Sequence, residues 1–179
     1  MTRLNSTEAE VADDTVPDER SLRVLVANET NAAIDADRIE AAVRLAFADG
    51  PYRWVEVSVA VVDDEMIHDL NRQFLDHDYP TDVLSFTLED EPPRIEGEII
   101  VSLDTAARHA AEVGWSTSDE LLLYVAHGAL HLAGFRDKNA EDAIQMHAAE
   151  AALLARLGVT LAPGDSRWNS DAAPEGRSS

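Results

Sequence analysis

Apolar and polar residues alternate along several short segments of the chain, which is the pattern of β-strands with one buried face. The clearest case is residues 55–61, where valines at every second position alternate with more polar residues. Similar alternation predicts strands at residues 22–27 and 84–88, and the apolar run after Gly97 predicts a fourth at residues 98–102. The sequence therefore predicts a small sheet of short strands.

Helical spacing of apolar residues follows capping residues at several other points in the chain. The predicted helix starts are the pairs Asp37 and Glu40, Asp63 and Asp64, Thr117 and Glu120, and Asn139 and Asp142. A further helix is predicted from Ala106 to Val113 and ends at Gly114. This order of elements predicts one α+β domain in which helices cover a small sheet.

One predicted helix is apolar on nearly all sides, which is typical of a helix buried in the middle of a fold. It contains the run Leu121 to Val125 and continues through His127 and His131. Residues four positions apart lie one turn apart on the same face of a helix, so both imidazoles can face a single ion. Burying two unpaired imidazoles without such a partner would be costly.

The residues after this helix can supply a third metal ligand. Gly134 can adopt the left-handed conformation that ends a helix, and Asp137 is the next polar group able to close the site. Two imidazoles and one carboxylate with an open fourth position form a catalytic type of zinc site. Mg²⁺ and Ca²⁺ prefer oxygen ligands, whereas other divalent transition metals are alternatives to Zn²⁺. The spacing therefore predicts one such ion.

Composition and net charge exclude several classes of catalytic group, cofactor and binding module. The chain of 179 residues contains no cysteine, which excludes thiol nucleophiles, iron–sulfur clusters and Cys-based zinc fingers. Its 35 acidic and 14 basic residues give a net charge of −21, which excludes a generic basic nucleic-acid-binding module. We see no secretory signal or membrane-spanning pattern and expect a soluble cytoplasmic protein.

Polar residues dominate both ends of the chain. Residues 1–20 predict a disordered acidic tail, and residues 163–179, rich in Ser, Asp, Pro and Gly, predict a flexible C-terminal tail. Residues 21–162 between them are predicted to form a single domain.

Several blocks of this domain resemble the YbeY family of bacterial endoribonucleases. The run from His127 to Phe135 is similar to the family signature His-Gly-x-Leu-His-Leu-x-Gly-aromatic. The other similar blocks, in chain order, are Leu70-Asn71, Pro80 to Phe86, Gly97 to Ser102, Met146 and Glu150. The blocks keep family-like separations, so residues 21–162 are expected to form a YbeY-like, metal-dependent endoribonuclease domain.

The resemblance implies a fold, an activity and a cellular setting. The implied fold is an α+β sandwich with a mixed sheet. The implied activity is zinc-dependent cleavage of single-stranded RNA, in maturation of the 16S rRNA 3′ end and in ribosome quality control. One bound zinc ion is expected, together with single-stranded rRNA and the ribosome or its proteins as partners, in the cytoplasm and away from membranes.

Two positions depart from the family pattern. Relatives commonly have a third histidine ligand at the position of Asp137 and an aspartate where Arg136 stands. Because an aspartate can also coordinate a metal ion, the expected ligands are His127, His131 and Asp137. Many relatives carry an arginine suited to phosphate binding at the position of Leu75. Arg136 and Arg72 are the two candidates to replace it, and Arg136 is placed in the substrate cleft.

The resemblance also implies that Thr81, Asp82 and Ser85 belong to this cleft. On the alternative interpretation, the first two only mark the entry of a strand and Ser85 faces its own sheet. Met146 is interpreted as core packing and Glu150 as a charge on a helix surface. No residue is assigned as general acid or base. Solvated or locally hydrogen-bonded roles are expected for His68, His109 and His147, whereas His77 lies near the Pro80 to Phe86 block and is a candidate to reach the site.

Two other functions stay open at this stage. A domain this acidic is poorly suited to binding RNA that carries no protein. This favours a second function, that of a non-catalytic ribosome-assembly factor with a structural metal. The motif spacing also resembles that of metzincin peptidases, although Gly128 stands where a zincin has its catalytic glutamate. Solvent access to the fourth coordination position distinguishes a catalytic ion from a structural one.

Overall fold

Four strands and five helices make up the part of the chain that the structure, a computed structural model, describes: residues 20–75 and 77–161. The strands are β1 (Ser21–Asn28), β2 (Trp54–Val62), β3 (Val83–Glu91) and β4 (Arg94–Ser102). The helices are α1 (Ala36–Ala46), α2 (Asp64–Leu75), α3 (Leu103–Val113), α4 (Thr117–Leu132) and α5 (Ala140–Arg156). The predicted α+β fold is confirmed. Except for Arg20, both predicted tails lie outside the described residues.

The strands form one mixed sheet in the order β1-β2-β4-β3. Strands β1, β2 and β4 run parallel, and β3 pairs antiparallel with β4. The prediction that a strand begins after Gly97 is wrong, because Gly97 lies inside β4, opposite Val57 of β2. An ideal Cβ at Gly97 would come within 2.7 Å of Leu132 Cδ1, so this glycine lets helix α4 approach the sheet.

The caps of the helices follow the predicted chemistry but not always the predicted residue. Asn139 caps α5 as predicted, and its side chain accepts a hydrogen bond from the backbone N–H of Asp142. For α4 the cap is Ser116 and not Thr117, and for α1 it is Asp35 and not Asp37. In both cases a polar residue one or two positions earlier has the backbone conformation in which its oxygen reaches the first free N–H groups.

Helix α4 is the centre of the fold, as its apolar composition predicted. Every residue from Glu120 to Leu130 is buried. An ideal Cβ at Gly128 would lie 3.0 Å from Ile99 of β4 and 3.2 Å from Val83 of β3, so the helix lies directly on the sheet there. Even with α4 included, no helix in the described ranges has both the length and the apolar character needed to cross a membrane.

Helix α2 covers the other face of the sheet and is tied to α3 by one carboxylate. Asp63 caps α2, since its side chain accepts from the backbone N–H of Met66 at 2.8 Å. Asp64 instead accepts hydrogen bonds from Ser102 Oγ at 2.5 Å and Thr105 Oγ1 at 2.7 Å, and a short one from Arg108. Burial raises the pKa of Asp64, but these three donors outweigh it and hold the pKa below its ordinary value.

We expect the Asp64→Asn variant to be about 1 kcal/mol less stable than the wild type near pH 7, because hydrogen bonds to a charged acceptor are lost. Since the pKa of Asp64 is lower in the folded than in the unfolded protein, its contribution is complete above the unfolded pKa and disappears as the pH falls through the folded one. Urea unfolding of both proteins across the acid range measures this. A stability difference that stays constant with pH would contradict the assignment.

Candidate metal centre

Helix α4 places two imidazoles on one face, as the four-residue spacing predicts. The Nε2 atoms of His127 and His131 lie 3.0 Å apart. His127 is only 6% exposed, whereas the side chain of His131 is 25% exposed. The pair thus lies at the boundary between the core and solvent.

The chain reversal after α4 brings a carboxylate to the same point. Gly134 has a φ of 104°, the left-handed conformation expected of it. Asp137 follows three residues later, and its Oδ2 lies 3.3 Å from His131 Nε2 and 3.8 Å from His127 Nε2. The three predicted ligands are therefore adjacent, and they are a group of side chains that could hold one metal ion.

The donor atoms have the spacing and chemistry that a tetrahedral ion requires. Ligands about 2.0–2.1 Å from a tetrahedral zinc are roughly 3.3 Å from one another, close to the three distances above. His131 Nδ1 lies 3.2 Å from the carbonyl oxygen of Phe135, so Nδ1 carries the hydrogen and the Nε2 lone pair faces His127. Two imidazole lone pairs and a carboxylate facing one point repel one another unless a cation lies between them.

The protonation state of His131 also suits a metal ligand. Burial lowers the pKa of His131, and the adjacent imidazole of His127 adds to this effect. Asp137 and the carbonyl of Phe135 act in the opposite direction without reversing the shift. His131 is therefore neutral near pH 7, which is the form in which an imidazole binds metal ions.

The site is open on the side of Asp137. The side chain of this residue is 43% exposed, against 8% for that of His127. A structural zinc site fills all four coordination positions with protein ligands, whereas a catalytic site keeps one position for water or substrate. The exposure of Asp137 and His131 thus gives a reactant access to the point on which the three ligands converge.

Glu150 of α5 is a site residue that sequence reasoning missed. The prediction of a helix-surface charge is wrong, because Glu150 is 0% exposed. Its Oε1 lies 2.6 Å from His127 Nδ1, on the side of the ring away from the other two ligands. The spacing of buried Met146, Leu153 and Leu154 places position 150 on the inner face of α5, and that pattern was the available signal. Met146 is core packing, as interpreted.

The remaining histidines are hydrogen-bonded to near neighbours. His147 Nδ1 lies 3.1 Å from Glu150 Oε2, and His109 Nδ1 lies 2.7 Å from the Tyr124 hydroxyl. His68 Nε2 is 2.9 Å from an Asp78 carboxylate oxygen. Of these, His147 is linked to the metal centre, through Glu150.

Thr81 and Asp82 shape the entry of β3. Asp82 Oδ1 accepts from the Thr81 hydroxyl at 3.1 Å and from the backbone N–H of Val83 at 2.8 Å. Val83 packs against Gly128 of α4, and Ser85, two residues further along the strand, shares that face. The hydrogen bonds of Asp82 support the interpretation that Thr81 and Asp82 mark the entry of the strand. Ser85 lies on the face of β3 that packs against α4. Their contact with substrate stays a prediction.

Arg136 is exposed and immediately precedes Asp137. It is also close enough to Tyr52 for its charge to lower the pKa of that hydroxyl, against the larger effects of burial and a hydrogen bond to Asp90 that raise it. Among the described residues, neither Arg136 nor Lys138 forms an ion pair. Other described arginines do, including Arg23, Arg38, Arg44, Arg72, Arg94 and Arg108.

Comparison with known proteins agrees with this fold. The family described as "Endoribonuclease YbeY" matches residues 24–158 of the chain. An endoribonuclease YbeY from Rhodopirellula baltica is 44% identical over 138 residues, covering 76% of this chain and 69% of the relative. Another from Moorella thermoacetica is 41% identical over 125 residues, covering 64% of this chain and 80% of the relative.

A solved structure shows the same likeness. The solution structure of TM1509 from Thermotoga maritima superimposes with a TM-score of 0.53 at 26% identity, covering 86% of this chain and 99% of the other. The protein is therefore an α+β domain with a group of side chains suited to binding a metal at the end of its central helix. It belongs to the YbeY family of endoribonucleases.

Proposed function

We propose that this chain is a zinc-dependent endoribonuclease that cleaves single-stranded RNA. Its setting would be the cytoplasm, in maturation of the 16S rRNA 3′ end and in ribosome quality control, with rRNA and the ribosome or its proteins as partners. Family membership supports the activity. The observation that carries the proposal is the convergence of His127, His131 and Asp137 at a point open to solvent.

The proposed metal ligands are His127 Nε2, His131 Nε2 and Asp137 Oδ2. Zinc suits two neutral imidazoles and one carboxylate better than Mg²⁺ or Ca²⁺ does. When bound, the ion supplies Lewis-acid chemistry, stabilising negative charge that develops on a phosphate oxygen during cleavage. Asp137 contributes a negative charge where relatives commonly have a neutral imidazole, so we expect a less electrophilic ion here than with three histidines.

Arg136 is the proposed phosphate-binding residue of the cleft, and Lys138 on the other side of Asp137 adds a second positive charge. Both lack an acidic partner among the described residues, so their charges are available to a polyanion. This local pair offsets the acidic character of the rest of the protein at the point where RNA must approach. The cleft also includes Thr81, Asp82 and Ser85 in this proposal.

We expect Arg136→Ala to lower kcat/KM for single-stranded RNA by about tenfold, the effect of losing one charge-assisted hydrogen bond to phosphate. The dependence of kcat/KM on salt should weaken as well, because one fewer counterion is released on binding. The matched control is Arg156→Ala, which removes an exposed arginine at the end of α5. Equal losses in both variants would mean that only the overall charge matters and would refute the assignment.

A structural metal in a non-catalytic assembly factor is less well supported by the geometry. The proposed ligand Asp137 is 43% exposed at its side chain, whereas a structural ion is normally closed off by its ligands. A peptidase is also disfavoured. Position 128, where a zincin has its glutamate, points at Ile99 and Val83 of the sheet, so a carboxylate there would enter the core.

Zinc-quantified protein incubated with three substrates tests the proposed function. The substrates are a single-stranded RNA spanning a 16S 3′ end, the same sequence as a duplex, and an unfolded protein. We expect cleavage of the first alone. Proteolysis would favour the peptidase, and intact RNA with fully zinc-loaded protein that still binds ribosomes would favour the assembly factor.

A further inference from the structure

Behind the proposed metal ligands is a second layer of polar side chains that connects α4 to α5. Glu150 is fully buried. One of its oxygens, Oε1, lies 2.6 Å from His127 Nδ1, and the other, Oε2, lies 3.1 Å from His147 Nδ1. The side chain of His147 is 29% exposed, so the chain of contacts runs from the metal centre through a buried carboxylate to the surface.

Burying a carboxylate is costly unless its oxygens receive hydrogen bonds. Both oxygens of Glu150 face an imidazole nitrogen, so each ring is required to carry its hydrogen on Nδ1. For His127 this requirement has a consequence at the opposite nitrogen. A neutral imidazole has one N–H, and fixing it on Nδ1 puts the lone pair on Nε2, which is the nitrogen that faces His131 and Asp137.

We propose that Glu150 is a positioning residue, which holds His127 in the Nδ1–H form and so keeps Nε2 ready for the metal ion. This inference rests on the proposed metal site. Without an acceptor at Nδ1, the hydrogen of His127 can move to Nε2. There it would point at His131 Nε2, only 3.0 Å away, and form an internal hydrogen bond that competes with the ion.

His147 supports this arrangement from the other side. Its Nδ1–H donates to Glu150 Oε2, which fixes the rotation of the carboxylate and keeps Oε1 directed at His127. The partner of a metal-bound histidine commonly changes metal affinity by about 10–100-fold when it is replaced. The same range is expected here, with Glu150 as the partner and His147 as the residue that orients it.

The experiment compares wild type, Glu150→Gln, Glu150→Ala and the matched control Glu141→Gln, which removes an exposed carboxylate from the same helix. Nitrogen-15 NMR of the imidazole rings of the metal-free proteins, at about pH 8 where ordinary imidazoles are neutral, reports which nitrogen of His127 carries the hydrogen. Competition with a chromogenic chelator gives the affinity for zinc alone. Neither readout requires RNA cleavage.

Glutamine is a sharp probe because it has the shape of glutamate but can accept from only one of the two rings. In wild type and Glu141→Gln we expect His127 to be Nδ1–H. In Glu150→Ala we expect Nε2–H to predominate and zinc affinity to fall by about 10–100-fold. In Glu150→Gln we expect a mixture of the two forms and a smaller loss of affinity, because part of the population keeps the binding form. A merely structural role for Glu150 would lower stability and leave the ring hydrogen of His127 unchanged.

Two results would overturn the inference: His127 in the Nε2–H form in the wild type, or unaltered zinc affinity in a folded Glu150→Ala variant. The wild-type spectrum can overturn the inference even if every Glu150 variant fails to fold, because an Nε2–H form there contradicts it. Absence of zinc binding by the wild type is a different result, because it refutes the proposed metal site while the spectrum still tests the role of Glu150. The two failures are therefore distinguishable.

Discussion

The His131→Ala variant is expected to lose zinc binding by at least about a hundredfold and to lose RNA cleavage with it. The estimate divides the roughly 10–16 kcal/mol that a four-ligand zinc site provides among its ligands, which gives about 3 kcal/mol each. His131 is also partly exposed at the end of α4, so its removal should leave the core intact. Zinc titration and cleavage of single-stranded RNA, run on the same preparations, measure both effects.

The control for this variant is His68→Ala, which removes a partly exposed histidine that pairs with Asp78. We expect it to bind zinc and cleave RNA like the wild type. If His131→Ala retained full zinc affinity, the ion would have to be held elsewhere, and the assignment of His127, His131 and Asp137 as ligands would be wrong.

Replacing Gly128 with leucine should reduce the free energy of unfolding by about 3 kcal/mol, at the upper end of overpacking effects. A Cβ alone at this position would already be 3.0 Å from Ile99 and 3.2 Å from Val83. The added side chain must therefore push α4 away from the sheet. Because His127 is the preceding residue, the variant should also bind zinc more weakly at temperatures where it is still folded.

Ala148→Leu is the matched control, since it places the same leucine side chain at an exposed position inside α5. It should change the free energy of unfolding by less than about 0.5 kcal/mol. Chemical denaturation of both variants, followed by zinc titration of the folded fractions, gives the comparison. Equal stability of Gly128→Leu and wild type would show that α4 does not pack closely against the sheet at this position.

Much of the fold can be read from local patterns because each pattern reports a local physical requirement. Alternation in residues 55–61 marks β2 since one face of that strand is buried. Apolar residues lie on nearly all sides of α4 because this helix is buried at the centre of the domain. The His127–His131 spacing and the turn at Gly134 likewise specify the metal centre through backbone geometry alone.

The features that sequence reasoning missed depend on contacts between distant segments. Glu150 is a polar residue, and its burial becomes favourable through its contacts with His127, 23 residues earlier, and with His147. The local sequence around Gly97 predicts that a strand starts after this residue, yet Gly97 lies within β4. Leu132 of α4 occupies the space that a side chain at position 97 would fill. Such partners cannot be identified until the helices have been placed on the sheet.

Acidic character and RNA cleavage are compatible if positive charge is concentrated at the site. Several described arginines are already paired with carboxylates, so they add little to any attraction for RNA. Arg136 and Lys138 flank the proposed ligand Asp137 and remain available. We therefore expect binding of RNA to depend on this loop more than on any broad basic surface.

The most direct test of the central claim is a titration of metal-free protein with zinc while cleavage of a single-stranded 16S 3′-end RNA is followed. Activity that rises in proportion to bound zinc and reaches its plateau at one ion per chain is the predicted result. Cleavage that is fully present before zinc is added, or that stays absent when one ion is bound, would contradict the proposed zinc-dependent nuclease.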